Sequence, residues 1–182
     1  MIKKLYNDKK LASSDEVVEV SEVYTIGEKV MHPTEGACYI KGTTTMQQAS
    51  EKREYYTLVP MLNEKTIIYV PVLNNSANRI RKIMSVSEID EIGNEIKDED
   101  FNWIPDNRKR QEIFTVAIKS CDTVKIAKII IMMLQRELEK PLQSLDKELL
   151  CRAQKLAYSE IALVKGKSFE EVTRDIKSKV QF

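Results

Sequence analysis

The spacing of the apolar residues changes near Ser85, and this change limits the folds open to the chain. Residues 24–83 contain short runs of aromatic and β-branched residues between turn-forming ones, a pattern typical of β-strands. After Ser85 the apolar residues recur at helical spacing, as on one face of a helix. The sequence therefore predicts an α+β protein in which a small β region precedes a compact helical bundle.

The β region contains several strand candidates. They cover residues 37–40, 54–59, 66–70 and 79–83. Gly42, Pro60 and Pro71 separate these candidates, and residues 63–65 are expected to form a hairpin tip. A flat sheet of this size would expose one face and both edges, so we expect a small, strongly bent sheet or barrel.

Capping signals and apolar stripes predict the helices. Ser85 with Glu88, and Ser168 with Glu171, have the spacing of capping boxes that begin helices. Pro141 and Gly166 are expected to end helices. Two apolar stripes at helical spacing predict the inside of the bundle; they comprise Ile126, Ile129, Ile130, Met133 and Leu134, and Leu149, Ala153, Leu156, Ala157 and Val164.

These patterns divide the chain into four segments. They are a flexible extension at residues 1–22, a β domain at 23–84, an acidic helix and linker at 85–101, and a helical domain at 102–182. The 182 residues are enough for one well-buried domain or two small ones.

The charges nearly balance over the whole chain but are unevenly distributed. There are 29 Lys and Arg residues against 28 Asp and Glu, for a net charge of +1. Any affinity for nucleic acid must therefore come from a local cationic surface. Residues 87–100 are strongly acidic, whereas residues 103–128 are predominantly basic.

Trp103, the only tryptophan in the chain, stands at the start of the basic stretch. Arg108, Lys109 and Arg110 follow it. An apolar ring can unstack a base step while cations follow the phosphate backbone, so this pattern suggests nucleic-acid binding. The alternative is a core tryptophan that caps a helical bundle beside a solvated basic turn.

The sequence contains no recognisable constellation of catalytic or ligand-binding residues. His32 is the sole histidine and lies next to Pro33 in an expected turn, so a structural role is favoured. The three cysteines are far apart and predict reduced thiols without a disulfide or zinc site. We expect no cofactor and no metal. The longest apolar run, residues 129–134, is too short to cross a bilayer, and a cytoplasmic protein is expected.

A set of positions in the β region matches a known motif order: Gly27, Val30, Pro33, Gly36, Tyr55, Leu58, Val70, Pro71 and Arg81. In this order and spacing the region resembles the CarD/CdnL family of bacterial transcription regulators. That family's N-terminal domain is Tudor-like, with an SH3-like sheet, and is similar to the RNA polymerase interacting domain of transcription-repair coupling factor. Later positions resemble the family's helices, so the match covers about residues 24–176; these are Asp146, Ala153, Leu156, Glu160, Ile161 and Ala162.

The resemblance implies a transcription regulator without enzymatic activity. Its β domain would bind the β subunit of RNA polymerase, and its helical domain would contact promoter DNA at the upstream edge of the transcription bubble and modulate open-complex stability. The candidate DNA contacts are Trp103, Arg108, Lys109 and Arg110, and the candidate polymerase contacts are Met46, Ile67 and Tyr69. The latter lie on two possible sheet edges, at residues 43–47 and 66–69.

Further expectations concern how the protein associates. DNA binding by the isolated protein is expected to be weak and largely independent of sequence. A monomer is expected, associated with the nucleoid through polymerase.

The chain departs from the family pattern at several positions. His32 stands where the family usually has Tyr, and Ser120-Cys121-Asp122 where it has a Ser-Gly-Asp turn. The basic residues also follow the tryptophan later than usual. A second hypothesis therefore remains open, namely a protein-only polymerase-binding or scaffold module whose helical half does not touch DNA.

Overall fold

The computed structural model describes residues 24–48, 51–73, 80–97 and 101–180. The extension predicted at residues 1–22 lies outside these ranges, as does Arg79. The elements of the described ranges are β1 (Lys29–His32), β2 (Gly36–Gln48), β3 (Glu51–Pro60), β4 (Ile68–Pro71), β5 (Arg81–Lys82), α1 (Val86–Lys97), α2 (Asn107–Lys119), α3 (Thr123–Glu139), α4 (Ser144–Lys165) and α5 (Phe169–Val180). The predicted α+β class, with strands first and helices after, is confirmed.

The strands form an open antiparallel sheet in the order β4-β3-β2-β1-β5. Of the two shapes expected, bent sheet or barrel, the described strands form the sheet, with β4 and β5 at its ends. Residues 63–65 lie in the turn between β3 and β4, as predicted. The candidate at 79–83 is represented by the two residues of β5, while β1 has no counterpart among the predicted strands.

β2 is much longer than the strand predicted at residues 37–40. Gly42, expected to separate strands, instead lies inside β2, where the register with β3 shifts between Ile40 and Gly42. A bulge of this kind bends a strand without ending it. Only residues 36–39 of β2 pair with β1. Among the described residues, residues 43–48 of β2 pair with β3 alone, and this part of the two strands extends from the sheet as a two-stranded ribbon.

The two faces of the sheet meet different surroundings. One face is covered by a small apolar cluster that belongs to the β region: Tyr24, Val30, Cys38, Ile40, Tyr56, Leu58, Val70 and Ile80. Met31 and Ala37 instead pack into the helical core. That core includes the predicted stripe from Ile126 to Leu134. The two halves therefore share one continuous core at β1 and the start of β2.

The helix ends follow the sequence signals. The amide of Ser85 donates to Glu88 Oε2 at 2.7 Å, and the amide of Ser168 donates to Glu171 Oε2 at 2.7 Å. Both serine hydroxyls accept the reciprocal amide, so both predicted capping boxes are confirmed. α3 ends two residues before Pro141, and Gly166 caps α4 with a φ of 62°.

Cys121 joins α2 to α3 in an unusual backbone conformation. Its φ is 52°, in the left-handed region that favours glycine. This is the position where the resembled family has the glycine of its Ser-Gly-Asp turn. Cys121 therefore places a side chain in a backbone conformation that favours glycine.

The acidic helix α1 packs on the helical bundle. Asp90 accepts from Lys165 Nζ at 2.6 Å, and Glu95 lies 3.3 Å from Lys128 Nζ. Ile89 is buried beneath it. The acidic stretch thus neutralises lysines of α3 and α4 across the helix contact.

Polar contacts connect the sheet to α4. Arg81 donates to both carboxylate oxygens of the buried Glu160, at 2.6 and 2.7 Å. The amide of Met84 also donates to Glu160 at 3.0 Å. Lys155 donates to Glu35 at 2.5 Å, and this hydrogen bond lowers the pKa of the Glu35 carboxyl. These contacts fix the helical half against the β domain.

His32 has the structural role expected from its sequence position. Its Nδ1 lies 3.3 Å from the backbone amides of Thr34 and Glu35, so it can accept from the turn between β1 and β2. Partial burial lowers the pKa of this histidine, which favours the neutral form that accepts hydrogen bonds.

Gly36→Ala is expected to loosen the contact between sheet and α4 and to destabilise the protein by roughly 1–3 kcal/mol or more. Gly36 has a φ of +80°, and an added Cβ would lie 2.3 Å from Ser159 Oγ and 3.0 Å from the carbonyl oxygen of Lys155. The Ser159 hydroxyl cannot simply move away, because it accepts the Ala37 amide at 2.9 Å. Denaturant unfolding measures the loss. Gly27→Ala is the matched control, since it has a φ of +88° but no atom near an added Cβ. An equal loss in both variants would show that backbone strain alone matters.

Candidate functional site

Trp103 lies in the segment that leads into α2, with its side chain half-buried at the edge of the helical core. Two guanidinium groups contact its ring. Arg110 Cζ lies 4.3 Å from the ring centroid, and Arg136 Cζ lies 5.3 Å from it. Such cation–π contacts are favourable and hold the ring in place. Trp103 is therefore neither fully inside the bundle nor a freely solvated side chain.

The start of α2 places two of the predicted cations on the surface. Asp106 caps the helix by accepting the amide of Lys109 at 2.8 Å, and Arg108 and Lys109 are exposed in the first turn. Cations at the N-terminus of a helix lie near the positive pole of the helix dipole, and this repulsion slightly destabilises the helix. The N-cap carboxylate of Asp106 lies at this end, and the first turn itself contains no acidic residue. The arrangement places two exposed cations on the helix turn that follows the Trp103 segment.

Arg110 lies inside the domain, which corrects the expectation that its guanidinium faces DNA. Its side chain is only 1% exposed, as is that of its partner Asp146. Arg110 Nε donates to Asp146 Oδ1 at 3.0 Å, and Nη2 donates to Oδ2 at 2.7 Å. A guanidinium buried and bound in this way is not available to a phosphate group.

The helical periodicity contained a signal for this burial. Arg110 precedes Phe114, Ala117 and Ile118 by four, seven and eight residues, which places it on the buried face of α2. Asp146 likewise begins the buried stripe of α4 that continues through Leu149. Opposite charges on two apolar stripes predict a buried ion pair.

Arg136 is the contact of Trp103 that the sequence did not predict. It lies near the end of α3, far along the chain from Trp103, and its local partner is Glu139 at 2.9 Å. Its side chain is 27% exposed. An Arg with a Glu three residues later is an ordinary helix-surface pair, so nothing in the sequence connected Arg136 with the ring.

The candidate polymerase contacts share one face of the β domain. Tyr69 pairs with Thr57 across the sheet, and Met46 pairs with Arg53. Residues 53, 55 and 57 of β3 point to the same face because side chains alternate along a strand, so Met46 and Tyr69 share that face. Tyr69 and Ile67 are 47% and 55% exposed, and Met46 is half-buried.

Both predicted sheet edges have an unpaired side among the described residues. β4 is the terminal strand, with Tyr69 on it and Ile67 just before it. The ribbon of β2 at residues 43–48 is paired on one side only. Either could receive a partner strand.

Within the described ranges, no three His, Cys, Asp or Glu side chains come together to hold a metal ion. None of the described helices is both long and apolar enough to cross a membrane. Burial raises the pKa of the Cys38 thiol to about 12, which keeps it in the unreactive protonated form.

Two known domain families match successive parts of the chain. Residues 24–84 match the CarD-like/TRCF RID domain, and residues 91–177 match the CarD C-terminal domain. The chain is also 22% identical over 144 residues to the protein named "Putative transcription factor YdeB" of Bacillus subtilis (strain 168), covering 79% of this chain and 94% of that protein. The protein is thus a transcription regulator with a domain of the type that interacts with RNA polymerase. It belongs to the CarD-like family, as the sequence resemblance predicted. The members of this family are transcription factors, and the family is not a known enzyme class.

Proposed function

We propose that the protein bridges RNA polymerase and promoter DNA. In this proposal the β domain binds the β subunit through the face that carries Met46, Ile67 and Tyr69. The helical domain presses Trp103 into the minor groove at the upstream edge of the transcription bubble, beside Arg108 and Lys109. The single observation that carries the proposal is the half-buried Trp103 ring, held by Arg110 and Arg136 next to the cationic first turn of α2.

The proposed mechanism needs only positioning and charge. Phosphate contacts from Arg108 and Lys109 would orient the domain without reading sequence. An apolar ring inserted where base pairs are already opening pays little of the cost of unstacking, so it can oppose collapse of the bubble. The rigid connection between the halves, through Arg81 and Glu160, would keep the ring at a fixed distance from polymerase.

The protein-only hypothesis predicts a different surface. A spacer or oligomerisation unit has no need for a partly exposed aromatic ring beside two exposed cations at the disfavoured end of a helix. The surface around Trp103 therefore favours the bridging function. A bridge that stabilises open promoters raises output where opening is limiting and lowers output where promoter escape is limiting.

Tyr69→Glu is expected to weaken binding to the polymerase β subunit by about tenfold or more, because it places a charge in the centre of an apolar contact. Tyr69 is 47% exposed, so the fold should tolerate the change. Leu138→Glu is the matched control, since Leu138 is 57% exposed on α3. Binding is measured by biolayer interferometry with immobilised β subunit and full-length protein.

The full chain is needed for this measurement. A fragment that ended near Ser85 would expose Met31 and Ala37, which pack into the helical core. Unchanged affinity of Tyr69→Glu would remove Tyr69 from the interface. Equal loss in Leu138→Glu would indicate a non-specific effect of the added charge.

Affinity for duplex DNA falls as the salt concentration rises. Arg108→Ala and Lys109→Ala are each expected to make the negative slope of log affinity against log salt shallower by about 0.9, the contribution of one phosphate contact. The loss should be similar for unrelated duplex sequences because phosphate contacts carry no sequence information. Lys65→Ala is the control, since Lys65 is exposed at the turn between β3 and β4. Fluorescence polarisation over a salt series measures the slope. Slopes equal to that of the unmodified protein would place both cations away from DNA.

A further inference from the structure

We propose that Arg110 is the residue that positions Trp103, and that Asp146 fixes Arg110 for this purpose. The inference deepens the proposed function: Arg110 acts on DNA through the tryptophan ring and never touches a phosphate. Asp146 then acts one step further away, from the first turn of α4.

The hydrogen bonds of Arg110 connect the segment around Trp103 to two helices. Nη1 donates to the carbonyl oxygen of Ile104, the residue after Trp103, at 2.7 Å. Nη2 donates to Asn107 Oδ1 at 2.8 Å, and both Nε and Nη2 donate to Asp146. All three nitrogens of the planar guanidinium donate hydrogen bonds, and these bonds fix its orientation.

The fixed guanidinium provides a platform for the indole ring. Its Cζ lies 4.3 Å from the ring centroid, closer than that of Arg136. The two cations also differ in their anchoring. Arg136 is bound by the exposed Glu139 and is itself partly solvated, whereas Arg110 and Asp146 are each 1% exposed. Arg110 is therefore the rigid partner of the ring, and Arg136 the adjustable one.

Stability alone does not require this ion pair. Two apolar residues of similar volume usually stabilise a core at least as well as a buried ion pair does, because burying charges costs desolvation free energy. An apolar replacement could not, however, bind the Ile104 carbonyl or present a cation to the ring. What the pair provides is a defined orientation for the segment that carries Trp103.

The test uses the fact that Trp103 is the only tryptophan in the chain, so its fluorescence reports on this ring alone. Four full-length proteins are compared: the unmodified protein, Arg110→Lys, the double variant Arg110→Met with Asp146→Leu, and a control variant. Arg110→Lys keeps a charge opposite Asp146. It loses the planar guanidinium group that binds Ile104, Asn107 and Asp146 at the same time and lies over the ring. The double variant removes both charges and leaves none buried alone. The control, Arg152→Lys, makes the same exchange at an exposed position of α4 outside the proposed DNA contacts.

Acrylamide quenching and time-resolved anisotropy measure the exposure and local motion of the ring in the free protein, and far-UV circular dichroism checks that each variant is folded. We expect both folded variants to show stronger quenching and faster local rotation than the unmodified protein, with Arg152→Lys unchanged. Quenching and rotation that stay unchanged in Arg110→Lys and in the double variant would overturn the inference and make the pair a purely structural one. If the double variant does not fold, Arg110→Lys alone decides between these results.

Open-complex lifetime with polymerase provides the second readout. We expect the folded double variant to shorten the lifetime nearly as much as Trp103→Ala, by about tenfold. The inference would be overturned if Trp103→Ala shortened the open-complex lifetime while the folded double variant had the lifetime of the unmodified protein. If Trp103→Ala itself has no effect, the proposed bridging function fails, while the fluorescence result still decides whether Arg110 positions the ring.

Discussion

Trp103→Ala is expected to shorten the lifetime of promoter open complexes by about tenfold or more while leaving the affinity for polymerase nearly unchanged. Apolar or stacking contact with a base contributes on the order of 1–3 kcal/mol, and 1.4 kcal/mol corresponds to a factor of ten. Polymerase affinity should be retained because the proposed contacts lie on the β domain, at Met46, Ile67 and Tyr69. The lifetime is measured by competitor challenge of preformed open complexes.

Trp103→Phe is the matched variant for this measurement. Phenylalanine keeps an apolar ring over the Arg110 guanidinium, so an intermediate lifetime is expected. Far-UV circular dichroism checks the folding of both variants. If Trp103→Ala melted the helical half, or left the lifetime unaltered, the tryptophan would be a core residue, as the alternative interpretation of the sequence held.

Asp146→Ala is expected to lower the free energy of unfolding by about 3–5 kcal/mol, because it leaves the Arg110 charge buried without its partner. The carboxylate accepts two hydrogen bonds from Arg110, and both side chains are almost completely buried. Urea unfolding followed by circular dichroism measures the change.

Asp175→Ala is the control for this prediction. Asp175 also pairs with a cation, Lys167, at 2.6 Å, but both side chains are nearly half exposed. Ion pairs of this kind contribute little to stability. The double variant Arg110→Met with Asp146→Leu should recover most of the lost stability. A single variant as stable as the unmodified protein would mean that water reaches Arg110.

Local sequence signals were sufficient where a structure depends on neighbours in the chain. The capping boxes at Ser85 and Ser168, and the glycine cap at Gly166, were predicted because each connects residues within one helical turn. The same signals failed at Gly42, where pairing with β3 on one side continues the strand through a bulge. Pairing of strands can override the tendency of glycine to end them.

The polymerase-binding candidates show which features of the sheet follow from the strand pattern and which depend on strand pairing. The sequence placed Ile67 and Tyr69 together only as residues of one possible sheet edge, and the structure has Tyr69 on β4 and Ile67 just before it. That Met46 shares the face with Tyr69 depends on the registers of β2 with β3 and of β3 with β4. A shift of one residue in either register would have moved Met46 to the other face.

The sequence by itself determined the α+β class, the helix ends marked by Ser85, Pro141, Gly166 and Ser168, and the proximity of Trp103 to a basic stretch, because each depends on residues close in the chain. The tertiary structure alone decided the roles within that stretch. Arg108 and Arg110 are two residues apart, but a helix turns about 200° over that distance, so one guanidinium faces solvent and the other is buried against Asp146. Arg136 reached the ring only because α3 packs beside the segment that carries Trp103.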